Sequence, residues 1–113
     1  MTKIAVNGAA GRMGRTVIEA AAERDDVDVV VGFDVDDAEW IDGVPIVHPE
    51  DTADAFAEYD PAVVVDFTIP TASITLAEAC AAAGVGMVIG TTGFDSGDMA
   101  TLRSTSNEVP VLK

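Results

Sequence analysis

The sequence predicts an α/β chain, a doubly wound parallel sheet with helices on both faces. Three observations carry this reading. Short apolar runs rich in β-branched residues alternate with helix-like stretches along the whole 113 residues. Their spacing is that of βαβ units, which join parallel strands through right-handed crossovers. The first unit turns on three closely spaced glycines, Gly8, Gly11 and Gly14, set between a strand-like run and a helix-like one.

The run Lys3-Ile4-Ala5-Val6-Asn7 is the first strand. In the turn after it, Gly8 is expected to allow the tight bend and Gly11 to let backbone approach a pyrophosphate. Gly14 is expected to let the helix pack close to the strand. Ala9 and Ala10 complete the turn, and Ala10 stands where the commoner pattern has its second glycine. A helix beginning at Arg12 and Met13 points unpaired N–H groups at an anion. That helix runs to Glu23, with Met13, Val17, Ala20 and Ala21 on one face and Arg15, Glu19 and Glu23 largely away from it. Arg24-Asp25-Asp26 ends it. Val27 to Phe33 is a second buried strand, and Asp34 stands at its carboxyl end. Asp34 lies 20 residues after Gly14, where a dinucleotide site needs a carboxylate for the adenosine ribose. Turn and carboxylate together read as a Rossmann-like nucleotide site.

Val35 to Gly43 is irregular, a short turn of helix or a loop, with Trp40 as a local packing anchor. Val44-Pro45-Ile46-Val47 reads as an edge strand, because Pro45 cannot donate into an interior ladder. His48 has no metal partners in the sequence and reads as a loop residue before Pro49. Glu50 to Tyr59 is a short helix with Asp51 or Thr52 as N-cap. Ala62 to Phe67 is the third strong strand, ending at Thr68-Ile69-Pro70. An Ala-rich helix from Thr71 to Ala83 closes on Gly84 as a C-cap. Val85 to Ile89 is another strand, interrupted by Gly86, and runs into Gly90-Thr91-Thr92-Gly93-Phe94. A helix from Ser96 to Ser104 and a strand start at Val109 to Leu112 complete the chain. The glycine turn, Asp34, Phe67-Thr68 and Gly90 to Thr92 all fall at strand ends, which line one crevice in a doubly wound sheet.

Composition bounds the function classes. Nearly half the residues are hydrophobic and the mean hydropathy is +0.30, enough for a core in one domain of this length. No apolar run approaches the ~20 residues of a membrane span, and the start shows no secretory pattern. The single Cys80 has no disulfide partner and reads as packing in a reducing cytoplasm. Twenty acidic residues against six basic ones give a net charge of −14. That sign argues against nucleic acid and anionic membranes as partners. A dinucleotide must then be met by local N–H groups and Arg12. The acidic residues are mostly Asp, and only two lysines occur, a bias that fits a chain working at high salt.

Three strings carry a family resemblance: Val6-Asn7-Gly8-Ala9-Ala10-Gly11-Arg12-Met13-Gly14, Val65-Asp66-Phe67-Thr68, and Met87 to Phe94 (M-V-I-G-T-T-G-F). Together they resemble the N-terminal dinucleotide-binding domain of dihydrodipicolinate reductase, over nearly the whole chain. The resemblance implies that Gly8, Ala9, Ala10, Gly11, Arg12 and Met13 hold a pyrophosphate and that Asp34 holds the adenosine ribose. Gly90, Thr91 and Thr92 would line the nicotinamide ribose, with Phe67 and Thr68 flanking the cleft. It implies reduction of a C=N bond in a cyclic dicarboxylate by NADH or NADPH, in lysine and diaminopimelate biosynthesis.

Members that grip NADPH often carry arginine after the ribose carboxylate, where this chain has Val35 followed by Asp36 and Asp37. NAD(H) is therefore favoured, with NADP(H) left open through Arg12. The family's catalytic segment lies downstream, so residues 1–113 are expected to be a cofactor domain without catalytic residues or a metal site. Such a piece would bind cofactor without turnover, and the full-length enzyme would be a homo-oligomer. The competing reading is a free-standing NAD(H)-binding sensor or docking module.

Overall fold

The computed structural model describes residues 1–35, 39–91, 93–106 and 111–112. Its strands are β1 (Thr2–Asn7), β2 (Val27–Phe33), β3 (Trp40–Ile41), β4 (Val44–Val47), β5 (Val63–Asp66), β6 (Gly86–Ile89) and β7 (Val111–Leu112). Its helices are α1 (Arg12–Ala22), α2 (Thr52–Tyr59), α3 (Pro70–Ala83) and α4 (Ser96–Ser106). One sheet takes the order β3-β4-β2-β1-β5-β6-β7. All neighbours are parallel except the β3–β4 hairpin. The chain moves from β1 to β2 on one side, then returns to place β5 on β1's other side. That reversal opens a crevice between the carboxyl ends of β1 and β5.

Burial divides along the pleat, as expected of helices on both faces. Ala5, Val31, Phe33, Val64, Met87 and Ile89 pack with Phe56 of α2, Leu76 and Cys80 of α3 and Leu102 of α4. Val6 and Ala9 pack with Ile18 of α1 and with Ile41 and Val44. Phe33 and Phe56 meet edge to face at 5.8 Å between centroids. Cys80 is a free, fully buried thiol, as its packing role predicts. Burial, and secondarily the nearby Asp66 carboxylate, pushes its pKa up to about 12.

Several elements depart from the sequence-based expectation. In α1 the buried residues are Gly14, Ile18 and Ala21, while Met13 and Ala20 are exposed. The seat of Gly14 against the glycine turn sets the helix's rotation. Val44–Val47 is not the edge: the two-residue β3 lies outside it, pairing Trp40 with Pro45 and Ile41 with Val44. Asp42 and Gly43 make this hairpin, both with positive φ (+48° and +81°), the type I′ pattern. Trp40 is 64% exposed and lies outside the buried core of the described residues, because the alternation turns Ile41 inward instead. A 3₁₀ turn at Pro49–Asp51 precedes α2 and is capped by His48, whose Nδ1 accepts from the Glu50 N–H. Gly86 does not interrupt β6 but is its buried first residue, paired with Val63. Gly84 caps α3 at φ +73°, as expected.

A bulge in β2 matters most for the site. Ile4 pairs with Val29, but Ala5 pairs with Val31, so Val30 is the extra residue. The bulge shifts the alternation by one. Val29 packs on the α1 face, whereas Val31 and Phe33 join the α2–α3 face. Gly32 is thereby turned under Ala9, where an added Cβ would sit 2.7 Å from the Ala9 methyl.

Candidate functional site

The glycine turn hangs from the end of β2: the Gly8 and Ala9 N–H groups donate to the Phe33 carbonyl at 2.8 and 3.1 Å. Gly8 has φ +81°, and a Cβ there would run into the Phe67 carbonyl oxygen. A Cβ on Gly14 would collide with the Gly8 carbonyl and stand 2.8 Å from Ala9 Cα. Gly14 therefore packs the helix against the turn itself. Gly11 is the N-cap of α1, extended at φ −75° and ψ 170°, with no side chain capping the helix. Its hypothetical Cβ meets only the Gly8 carbonyl, at 3.3 Å. The N–H groups of the first helical turn are thus left to the crevice.

Asp34 reaches this turn directly. Its Oδ2 accepts the Ala10 N–H at 2.9 Å, so one carboxylate joins the end of β2 to the glycine loop.

Two cavities meet over the turn. The larger, about 590 Å³, is lined by Asp34, Val35, Glu50, Ala53, Thr75 and Leu76 among others. The smaller, about 410 Å³, is lined by Arg12, Met13, Gly90 and Thr91. Gly8, Gly11, Phe67, Thr68 and Ile69 line both, so they form the waist of one two-lobed crevice. Its electrostatics are split. Among the described residues the charged groups of the larger lobe are Asp34 and Glu50, and the one of the smaller lobe is Arg12.

The expected site residues thus gather around one crevice, though not all in the expected manner. Ala9 is fully buried beneath the turn, and Ala10 enters through its backbone. Thr92 lies outside the described residues, as do Asp36 and Asp37. The hydroxyls of Thr68 and Thr91 turn inward: each donates to Asp66, at 2.7 and 3.0 Å. Gly90 is required by Phe67, whose ring a Cβ would strike.

Sequence reasoning missed four contributors: Asn7, Asp66, Ile69 and Ser73. The Asp66 carboxylate is fully buried and accepts from Asn7 Nδ2 at 3.0 Å and from the Ser73 hydroxyl, besides the two threonines. An acidic residue ending an apolar strand was the available signal. Ile69, 66% exposed, projects at the waist of the crevice.

A family model described as dihydrodipicolinate reductase, N-terminus, matches residues 2–113. The 4-hydroxy-tetrahydrodipicolinate reductase of Haloarcula marismortui is 54% identical over 113 residues, all of this chain and 44% of its own length. That of Methanothermobacter thermautotrophicus is 35% identical over 115 residues, covering 91% of this chain and 42% of the relative. In fold, the chain is similar to a dipicolinate-bound dihydrodipicolinate reductase from a Paenisporosarcina species. The TM-score is 0.80 and the identity 22%, over 94% of this chain and 43% of that one. It is also similar to the Rex-family repressor RSP solved with β-NADH, with TM-score 0.76 and 14% identity over 99% and 52% of the two chains. The chain spans less than half the length of these curated relatives. It belongs to the dihydrodipicolinate reductase family, whose N-terminal part it matches.

Proposed function

We propose that this chain is the cofactor-holding portion of a 4-hydroxy-tetrahydrodipicolinate reductase, active on its substrate only together with the rest of such an enzyme. The observation that carries this is the two-lobed crevice at the sheet's switch point, with Asp34 tied to the glycine turn through the Ala10 N–H. The residues fit a dinucleotide. Asp34 presents a carboxylate for the adenosine ribose in the larger lobe. The uncapped N-terminus of α1, with Gly8 to Met13, meets the pyrophosphate at the waist, and Arg12 supplies a cation there. Gly90 and Thr91 flank the nicotinamide ribose in the smaller lobe, their backbone and not the Thr91 hydroxyl facing the ligand, and Thr92 keeps the ribose role that the family resemblance implies. Phe67 and Thr68 hold the wall between the lobes.

When bound, the nicotinamide supplies the hydride that reduces a C=N bond in a cyclic dicarboxylate. This chain's own residues bind and orient it. Asp34 and Glu50 make the larger lobe unfavourable for a 2′-phosphate, so NADH is the preferred cofactor, with NADPH weaker. A cytoplasmic, high-salt setting and a homo-oligomeric full-length enzyme complete the reading.

Titration of the chain with NADH and NADPH, followed by nicotinamide fluorescence, tests it. NADH should bind more tightly. Asp34→Ala should weaken NADH by roughly 1.5–3 kcal/mol, the value of a charge-assisted hydrogen bond, and NADPH far less. NADH affinity equal before and after the change would remove Asp34 from the site, and no binding at all would overturn the reading.

A further inference from the structure

We propose that Asp66 is a positioning residue, one buried carboxylate from which the nicotinamide-side wall of the crevice is hung. The inference rests on the dinucleotide reading of the site. Asp66 is 0% exposed at the end of β5. Asn7 Nδ2 and the Thr68 hydroxyl donate to its Oδ1, at 3.0 and 2.7 Å. The Thr91 hydroxyl donates to Oδ2 at 3.0 Å, and the Ser73 hydroxyl joins it there. These partners come from the end of β1, the loop after β5, the residue after Gly90 and the first turns of α3. A single side chain therefore ties four segments that converge on the crevice.

All four donors are neutral. The ion pairs among the described residues, Lys3–Asp60 and Arg24–Asp26, do not involve Asp66. A carboxylate taken out of water without a cation is a costly core group, tolerable only with its lone pairs filled. Apolar neighbours such as Val64 and Ile89 show what the same layer uses where only packing is needed.

What the carboxylate adds is orientation. It turns the Thr91 hydroxyl so that the same oxygen accepts the Thr68 N–H at 2.9 Å. That bond fixes the segment 67–69, which lines both lobes and whose Phe67 carbonyl lies against Gly8. Because the Thr91 hydroxyl is engaged as donor and acceptor inside the protein, its effect on a ligand passes through this wall.

The test compares NADH with ADP, which keeps the diphosphate but lacks the nicotinamide and its ribose, and so leaves the Gly90–Thr91 end of the smaller lobe unfilled. Asp66→Asn keeps the shape but replaces one acceptor oxygen with an N–H donor. It should weaken NADH roughly tenfold or more while moving ADP affinity less than about twofold. Thr91→Val should reproduce that split, and Thr91→Ser, which restores the hydroxyl, should recover NADH affinity. This second pair decides the matter if Asp66→Asn does not fold. NADH affinity unchanged in a folded Asp66→Asn or Thr91→Val, or NADH and ADP falling together, would overturn the proposal. Wild-type chain that binds ADP but not NADH would overturn it too, whereas failure to bind either nucleotide would remove the dinucleotide reading beneath it.

Discussion

Gly8 and Gly84 have nearly the same backbone, at φ +81° and +73°, for different physical reasons. Around Gly84 a Cβ would meet nothing within 4 Å, so alanine there incurs only the left-handed penalty of about 1–2 kcal/mol. At Gly8 the same methyl collides with the Phe67 carbonyl, so that the penalty gains a steric term. Denaturant unfolding should show Gly84→Ala losing about 1 kcal/mol and Gly8→Ala at least ~2–3 kcal/mol. Equal losses would mean that the turn and the 67–69 segment do not press on each other. Single residues are also where the sequence spoke most unevenly. Gly8, Gly14 and Asp34 were legible because local geometry demands them at fixed spacing. The hydrogen bonds of Asp66 reach back 59 residues to Asn7 and forward 25 to Thr91, and no local pattern encodes such partners. The threonine strings were legible as site residues, but the inward aim of their hydroxyls was not.

Among the elements, legibility followed periodicity. Helix α3 and strands β1, β2 and β5 were readable from their composition and their Gly or Pro boundaries. The bulge in β2 was not, because an uninterrupted Val29-Val30-Val31 run has no alternation to reveal a shift. The Asp42-Gly43 pair carried a hairpin signal, but strand β3 is only two residues long and leaves no apolar pattern of its own. The rotation of α1 was misjudged because alanines and valines fit two faces equally. Only the contact of Gly14 with the turn decides between them. The bulge makes a specific demand on Gly32. Added methyl there would stand 2.7 Å from the Ala9 Cβ and 2.8 Å from Ile46 Cδ1. Ile46 has a flexible end and can yield, but Ala9 is held by its own N–H bond and that of Gly8 to the Phe33 carbonyl. Gly32→Ala should therefore destabilise by about 1–3 kcal/mol through overpacking. Trimming Ile46 to Val should recover only part of that in the double variant, measured by thermal unfolding.

Across the whole molecule the dominant quantity is charge. A net −14 on 113 residues repels itself in the compact state, and the described ion pairs do little to offset it, since both are exposed. Added salt shortens the screening length from about 10 Å at 0.1 M to about 3 Å at 1 M. Far-UV circular dichroism should accordingly show folding improve from low salt to molar KCl, and a salt-independent spectrum would count against this. The same field bears on the crevice, where Arg12 is the charged residue of the smaller lobe and carboxylates hold the larger one. An anionic dinucleotide approaches such a molecule uphill and is attracted only at the last few ångströms. Its encounter rate should therefore rise with ionic strength, the reverse of electrostatic steering. A chain with this surface should collect a dinucleotide fastest in brine.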